Sequence, residues 1–571
     1  MKTLLHYLKQ YKKESLLGPL FKLLEASFEL MVPLVMAAII DRGIAAGDTK
    51  MILCRGGMLV GLALIGLACS LTAQYYAAKA AVGVCSRLRQ DLFAHIQQLS
   101  YTQLDTLGTS SLITRMTSDI NQVQSGVNLV LRLFLRSPFV VFGAMVMAFS
   151  INHRISLLFL LTILLLSIVV FFIMLWGIPR YQKIQGQLDG LLHLTRENLS
   201  GVRVIRAFHR EAAEQCQFTQ ENQALTAFQQ AVGKVSSLMN PLTYLILNLA
   251  LAALLWSGAL KVQSGILTQG QVIALVNYLS QILVELIKLA NLIITMTKAL
   301  ACVGRIDGVL QLPAQQPAHG LPLKTQPAPL LQFSHVSLRY ADAGGDALSD
   351  ISFTLPQGSS LGIIGGTGSG KTSVVNLIPG FYFATEGKVS VDGLDVKDYA
   401  PEQLRQRIGL VPQKAALFQG TIRDNLRMGN PAADDKTLWQ AIEQAQAMDF
   451  VSKKGLDFMI EQEGRNLSGG QRQRLTIARA LVRHPELLIL DDSASALDLA
   501  TDRKLRIALQ QLKNVSTIIV SQRSSSIAHC DQILVLEDGH CVGLGRHEQL
   551  LEQCPVYQEI YYSQFPREVK A

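Results

Sequence analysis

Charge is what this sequence has least of. Only 17% of its 571 residues are Asp, Glu, Lys or Arg, against about 25% in soluble domains. With 49% hydrophobic residues and a mean hydropathy of +0.27, that scarcity excludes a disordered scaffold and argues against an ordinary soluble enzyme. Paired cysteines are missing as well. The eight cysteines (Cys54, Cys69, Cys85, Cys216, Cys302, Cys530, Cys541 and Cys554) form no CxxC and no metal-ligand spacing. They read as reduced, mostly buried residues of a chain whose mass lies in or on the cytoplasm. No repeat of solenoid period is present. The net charge of +9 raises the question of nucleic acid, but at so low a charge density it fits basic loops facing an anionic leaflet, and no nucleic-acid partner is expected.

What is there instead is apolar sequence in long runs. Ile155–Ile178 contains no charged residue and exceeds the roughly 20 residues that cross a bilayer. Further spans are expected near Leu16–Ile40, Met58–Tyr76, Ser137–Ile151 with the preceding turns, Leu238–Gly258 and Val272–Met296. Six spans put both termini on one side. The opening MKTLLHYLKQYKKES predicts an interfacial helix with Leu4, Leu5, Leu8 and Tyr11 on one face and Lys9, Lys12 and Lys13 near water. Arg180, Lys183, Arg196, Arg203, Arg206, Arg210 and Lys234 place the polar segments around 80–125 and 179–235 in the cytoplasm, as long helices that continue the spans.

After residue 310 the composition changes. Prolines 313, 317, 322, 327 and 329 mark a linker over 311–330. Beyond it, the apolar runs SLGII, RIGLV, LLILD, TIIVS and QILVL alternate with helical segments, which predicts a mostly parallel sheet covered by helices. The expected organisation is a six-span helical membrane domain at 1–310, the linker, and an α/β domain at 331–571.

The run Gly365-Gly366-Thr367-Gly368-Ser369-Gly370-Lys371-Thr372, set between a strand-like segment and a helical one, is a G-x-x-x-x-G-K-[ST] phosphate loop in its required context. Its glycines let backbone N–H groups close around phosphate oxygens, and the helix adds its positive N-terminal end. Lys371 supplies a charge for the β- and γ-phosphates, and Thr372 or Ser373 offers a hydroxyl to Mg2+. Leu487–Leu490 ends in Asp491, an acid delivered by a buried strand to the same metal. Leu467-Ser468-Gly469-Gly470-Gln471 precedes a basic helical stretch and suits a second anion contact at a helix start; as composition alone it is a turn and a cap.

LSGGQ with a phosphate loop about a hundred residues upstream resembles the ATP-binding-cassette family. Six spans fused ahead of one such cassette are similar to an exporter half-transporter. The resemblance implies that Tyr340 stacks on adenine, that Gln413 joins Mg2+ to the membrane domain, and that Ser495-Ala496-Leu497-Asp498 is the loop at a dimer interface. It also implies that segments around Thr109–Asp119 and Glu197–Glu211 touch the cassettes. Two cassettes of this family clamp two ATP molecules head to tail, so a dimer is implied. ATP and Mg2+ are the implied ligands.

Two positions depart from the family pattern. Where the family has a water-activating Glu after the magnesium Asp, this chain has Asp492. Where the family has a γ-phosphate-sensing His after the last core strand, it has Gln522. Asp draws the carboxylate back by roughly 1 Å, and misplacement on that scale can cost about a hundredfold in rate. Gln donates a hydrogen bond but neither carries the His charge nor relays a proton. The chain therefore resembles the degenerate-site subunit of bacterial heterodimeric multidrug exporters. The implied partner is a homologous half-transporter with intact Glu and His, and the implied location is the bacterial cytoplasmic (inner) membrane. A slow homodimer and a regulatory ATP-binding subunit are the alternatives.

Ionisable residues within spans are costly and usually functional or paired. Glu25 and Glu29 lie one turn apart in the first span. Asn277, Gln281, Glu285 and Lys288 share a face of the sixth. Either Glu285 pairs with Lys288, or the face meets a hydrophobic or amphipathic small-molecule substrate.

Overall fold

The computed structural model describes residues 2–314, 328–341, 343–493, 496–512 and 515–565. Most of the expected linker, and Ser495, lie outside them. The chain forms two compact units, Met1–Gln97 with Thr109–Leu312, and Gln98–Gly108 with Pro313–Ala571.

The first unit is helical. It contains α1 (Lys2–Gln10), α2 (Lys12–Ala38) and α3 (Thr49–Ile96). The short α4 (Tyr101–Leu107) belongs to the second unit. Then come α5 (Thr109–Thr114), α6 (Ile120–Leu133), α7 (Arg136–Ile151) and α8 (His153–Ser200). The last four are α9 (Val202–Ala207), α10 (Glu211–Ser237), α11 (Met239–Gln263) and α12 (Gln269–Leu310). Six helical stretches are long and apolar enough to cross a membrane: Lys12–Ile44, Thr49–Ile96, Thr109–Ile151, His153–Ser200, Glu211–Gln263 and Gln269–Leu310. Each span expected from sequence falls inside one of them.

Two local expectations change. Residues 80–125 are not one helix: α3 ends at Ile96, Ser100 caps α4 through a reciprocal bond with Gln103, and Gly108 breaks the chain again at φ +71°. A left-handed residue there suits glycine alone. Residues 179–235 are also divided, by turns at Gly201 and Phe208–Arg210, while α8 runs through Pro179 without stopping. In α1 and the start of α2, Tyr7 is buried, Leu5 is exposed, and Lys9, Lys12 and Lys13 are exposed.

Several charges within the spans are paired. Arg136, the first residue of α7, donates to Glu29 of α2 at 2.6 Å and to Glu285 of α12 at 2.6 Å. Ser137 Oγ donates to the other oxygen of Glu285 at 2.7 Å, and Lys288 donates to the carboxylate at 2.7 Å. Lys22 donates to Glu25 at 2.5 Å and to Ser70 at 3.1 Å. The Glu285–Lys288 pairing considered from sequence is present, but Arg136 is the larger tie because it joins three helices. Asn277 stays exposed, and Gln281 Oε1 is buried without a hydrogen-bond partner.

The second unit is built on a ten-stranded sheet. Its strands are β1 (Leu331–Leu338), β2 (Leu348–Leu355), β3 (Ser360–Gly365), β4 (Glu386–Val391), β5 (Leu394–Asp395) and β6 (Ile408–Val411). A separate two-stranded pair, β7 (Gly420–Thr421) and β8 (Met459–Ile460), follows. The sheet is completed by β9 (Leu487–Asp491), β10 (Ser516–Val520), β11 (Gln532–Glu537) and β12 (His540–Gly545). Its order is β5-β4-β1-β2-β12-β11-β3-β10-β9-β6. The five apolar runs read from sequence are β3, β6, β9, β10 and β11, and they pair in parallel. Buried on both faces, they show continuous rather than alternating hydrophobicity. The antiparallel strands β1, β2, β4, β5 and β12 were not singled out, because their alternation is short and interrupted.

Removing the Arg136 cation takes the shared partner from Glu29 and Glu285 and leaves Glu285, 3% exposed, with only Ser137 and Lys288. Breaking a buried pair from one side costs about 3–5 kcal/mol. Arg136→Ala is therefore expected to lower the thermal unfolding midpoint of the purified chain sharply, and Glu285→Gln in the same background to restore part of the loss. Equal midpoints for wild type and Arg136→Ala would contradict the role assigned to this cluster.

Candidate nucleotide site

Strand β3 is buried from Leu361 to Gly365 and passes into the glycine loop. A Cβ on Gly365 would fall 2.1 Å from the Leu536 carbonyl oxygen, so the first glycine is required by close approach to β11. Gly370 has φ +95°, and a side chain there would strike Ala347 and Leu348. The helix Lys371–Leu377 starts immediately after. The loop is thereby forced to present backbone N–H groups at a helix N-terminus, the arrangement that binds phosphate.

Lys371 Nζ folds back over this loop and donates to the carbonyls of Gly365 at 3.0 Å and Gly366 at 2.5 Å. Burial pulls its pKa below the usual lysine value, opposed by the nearby charges of Asp492 and Asp491. Asp491, at the buried end of β9, accepts a hydrogen bond from the Thr372 side chain, and burial raises its pKa. Asp492 follows in a left-handed conformation at φ +45°. Its N–H donates to Val520 O at 3.0 Å, and its carboxylate accepts from Gln413. Burial raises the Asp492 pKa too, with Lys371 and Arg523 acting against it. Gln522 is exposed after β10, and its backbone carbonyl accepts from Gln564 at 2.8 Å.

The sequence left two hydroxyls open for the metal. Ser373 is engaged elsewhere, accepting from the Tyr340 hydroxyl at 3.0 Å, whereas Thr372 sits on Asp491. Thr372, Asp491 and the neighbouring Gln413 are thus the oxygen donors gathered at the loop. Among the described residues no group of three His, Cys, Asp or Glu could hold a metal unaided. That fits Mg2+, which takes one or two protein oxygens and completes its shell with phosphates and water.

The signature residues form a second cluster. Ser468 caps the helix Gly469–Leu481, accepting from the Gln471 N–H at 3.3 Å while Gln471 Oε1 accepts from the Ser468 N–H at 3.0 Å. Leu467 is buried beneath them. A Cβ on Gly470 would come within 3.2 Å of the Ala496 carbonyl, so these glycines pack against the loop that leads to Asp498. Asp498 caps the next helix by accepting from Thr501 N–H at 2.9 Å, which holds its carboxyl below the ordinary value. Thr367, Gly368, Ser369 and Lys371 therefore belong to one cluster, and Ser468, Gly469 and Gly470 to another.

Tyr382 was missed by the sequence reading. It lies edge-on to Tyr340 with ring centroids 5.0 Å apart. It is one of three consecutive aromatics, Phe381, Tyr382 and Phe383, and nothing in the sequence marks which of them meets Tyr340. Arg136 did leave a signal, as one of two cations, with Arg132, among apolar residues.

Comparison with known proteins agrees with this architecture. Residues 15–286 match the ABC transporter transmembrane region, and residues 348–495 match the ABC transporter family. An uncharacterized ABC transporter ATP-binding protein of Mycobacterium tuberculosis is 35% identical over 98% of this chain and 97% of its own length. An ATP-dependent lipid A-core flippase of Chromohalobacter salexigens is 30% identical over 99% of this chain and 98% of its own. The solved structure of a bacterial Atm1-family ABC exporter with ATP bound superposes with a TM-score of 0.81 at 22% identity, covering 98% of this chain and 99% of that one. With both regions present in one polypeptide at this similarity, the chain belongs to the ABC transporter family, as a half-transporter of exporter fold with an ATP-hydrolysing cassette.

Proposed function

We propose that this chain is one subunit of a heterodimeric exporter of amphipathic compounds, that its own ATP site is degenerate, and that its signature motif completes the partner's productive site. The observation that carries the reading is an intact phosphate cradle beside Asp492 and Gln522. The proposed division of labour is a transmembrane domain at 1–310, a linker at 311–330 and a nucleotide-binding domain at 331–571, in the bacterial inner membrane. Lipid A-core flippases among the relatives support an amphipathic substrate. The cavity-lining residues are then Asn277, Gln281 and Lys288, with Glu25, Glu29 and Glu285 holding the charges around them.

Within the site, the loop N–H groups and Lys371 bind the phosphates, and Tyr340 supports the adenine ring. Thr372, Asp491 and Gln413 would hold Mg2+, which when bound neutralises the phosphate charge. Asp492 accepts a proton from water poorly, because its carboxylate is drawn back and already engaged by Gln413. Gln522 supplies no positive charge to the transferring group. Binding survives and hydrolysis slows. Ser468, Gly469 and Gly470 would meet the nucleotide held by the partner.

In the assembled transporter, Ser468→Arg is expected to stop turnover, whereas Asp492→Asn changes it less than about threefold. Ser468→Arg also removes a helix cap worth about 1 kcal/mol, so folding is checked by ATP binding at the chain's own loop. Lys371→Ala should weaken that binding. Full ATPase activity of the chain purified alone, abolished by Asp492→Asn, would instead establish the homodimer.

Restoration is the complementary test. With the partner's catalytic Glu neutralised, Asp492→Glu and Gln522→His together should return partial hydrolysis. Each alone should return less, because both act on one transition state and do not add. Absence of recovery opposite an intact partner signature would mean that other geometry keeps the site idle.

A further inference from the structure

One feature of the cassette unit lies outside the phosphate chemistry. Residues 98–108 carry α4, and its side chains meet aromatic residues that adjoin the nucleotide site. Tyr101 lies against Phe381 with centroids 4.4 Å apart and against Tyr382 at 6.1 Å. The Tyr382 hydroxyl donates to the Asp105 carboxylate. Burial, followed by this bond to Asp105, raises the phenol pKa well above its usual value.

Tyr382 is attached to the nucleotide site in two ways. Its ring edge meets Tyr340 at 5.0 Å, and the Tyr340 hydroxyl reaches Ser373 beside the phosphate loop. Its backbone is also fixed to the helix that begins with Lys371, because the N–H groups of Phe381 and Tyr382 both point at the Asn376 carbonyl, at 3.2 and 3.5 Å. Arg405 holds the far side, with its guanidinium 5.2 Å from the Phe381 ring centroid and its Nε donating to Pro379 O at 3.2 Å. On the other side of α4, Gln103 donates to Pro313 O at 3.1 Å.

We propose that Tyr382 is a positioning residue that links adenine on Tyr340 to the placement of residues 98–108. The inference rests on the reading of Tyr340 as the adenine platform. A base stacked on Tyr340 fixes that ring. The fixed ring limits the tilt of Tyr382, and the tilt of Tyr382 sets where its hydroxyl offers a proton to Asp105. Coupling between two binding events is reciprocal, so ordering of 98–108 and affinity for ATP change by the same factor.

The test is hydrogen–deuterium exchange over residues 98–108 in the full chain in lipid nanodiscs, with and without ATP and Mg2+, alongside ATP affinity in the same samples. Wild type should show slower exchange at 101–107 on adding nucleotide. Tyr382→Phe should lose more than half of that change, and its ATP affinity should fall by the same factor as the ordering that is lost. Asp105→Ala should match it, and the double variant should be no worse than either single one. Asp105→Asn, which keeps an acceptor oxygen, should retain part of the effect. Tyr340→Ala separates the two readings: unchanged ATP affinity there would remove the platform itself. Weakened ATP affinity in Tyr340→Ala, with exchange in Tyr382→Phe still responding to nucleotide as in wild type, would overturn the link alone. So would wild-type exchange that ignores nucleotide.

Discussion

A charge taken out of water has to find its partner inside the protein, and both units are organised around that constraint. In the membrane unit the partner is Arg136. Its guanidinium is planar and forked, so two nitrogens reach two carboxylates on different helices, Glu29 and Glu285. A lysine would present one point charge and could not hold both with the same geometry. Helices in lipid gain little from hydrophobic association. A polar tie among α2, α7 and α12 therefore decides how they are placed, while apolar packing fills the space around it.

The cassette obeys the same constraint with a different outcome. Lys371, Asp491 and Asp492 are gathered at the ends of β3 and β9, where burial disfavours every charged form. The lysine donates to the loop carbonyls of Gly365 and Gly366, and the acids accept from Thr372 and Gln413. A phosphate would offer Lys371 a stronger partner, and Mg2+ would do the same for Asp491. On the proposed reading, ATP binding rests on the phosphate loop and Lys371 and does not require Asp492 to work as a base. Binding and hydrolysis are separable in this sequence because they depend on different atoms.

Much of this was legible in advance. The phosphate loop, the Asp491 strand and the LSGGQ segment are local, and local motifs survive the loss of tertiary information. Parallel core strands were readable as apolar runs, and the spans as long ones. Other features were hidden for a physical reason. Glu29, Arg136 and Glu285 are separated by more than a hundred residues each, so their contact is set by helix packing, which no window of sequence contains. The same holds for Asp105 and Tyr382, 277 residues apart. The break at Gly108 was visible as a glycine, but the helical pattern on either side outweighed it.

The signature cluster points to the remaining step of synthesis. Ser468 and Gln471 bond to one another's backbone N–H groups in a closed box, and the adjoining glycines lie against the loop leading to Asp498. Such a box rigidifies the start of a helix, so that the N–H groups left over are held ready for an anion. Lys371 and the phosphate loop form a separate cluster with its own cradle. On the proposed reading, the helix starts at Lys371 and Gly469 both meet phosphate, and the chain has the parts of half of each of two shared sites. On the proposed reading, loss of hydrolysis beside its own phosphate loop leaves the other half-site untouched. That allows one subunit to hold ATP as a structural element while serving its partner's chemistry.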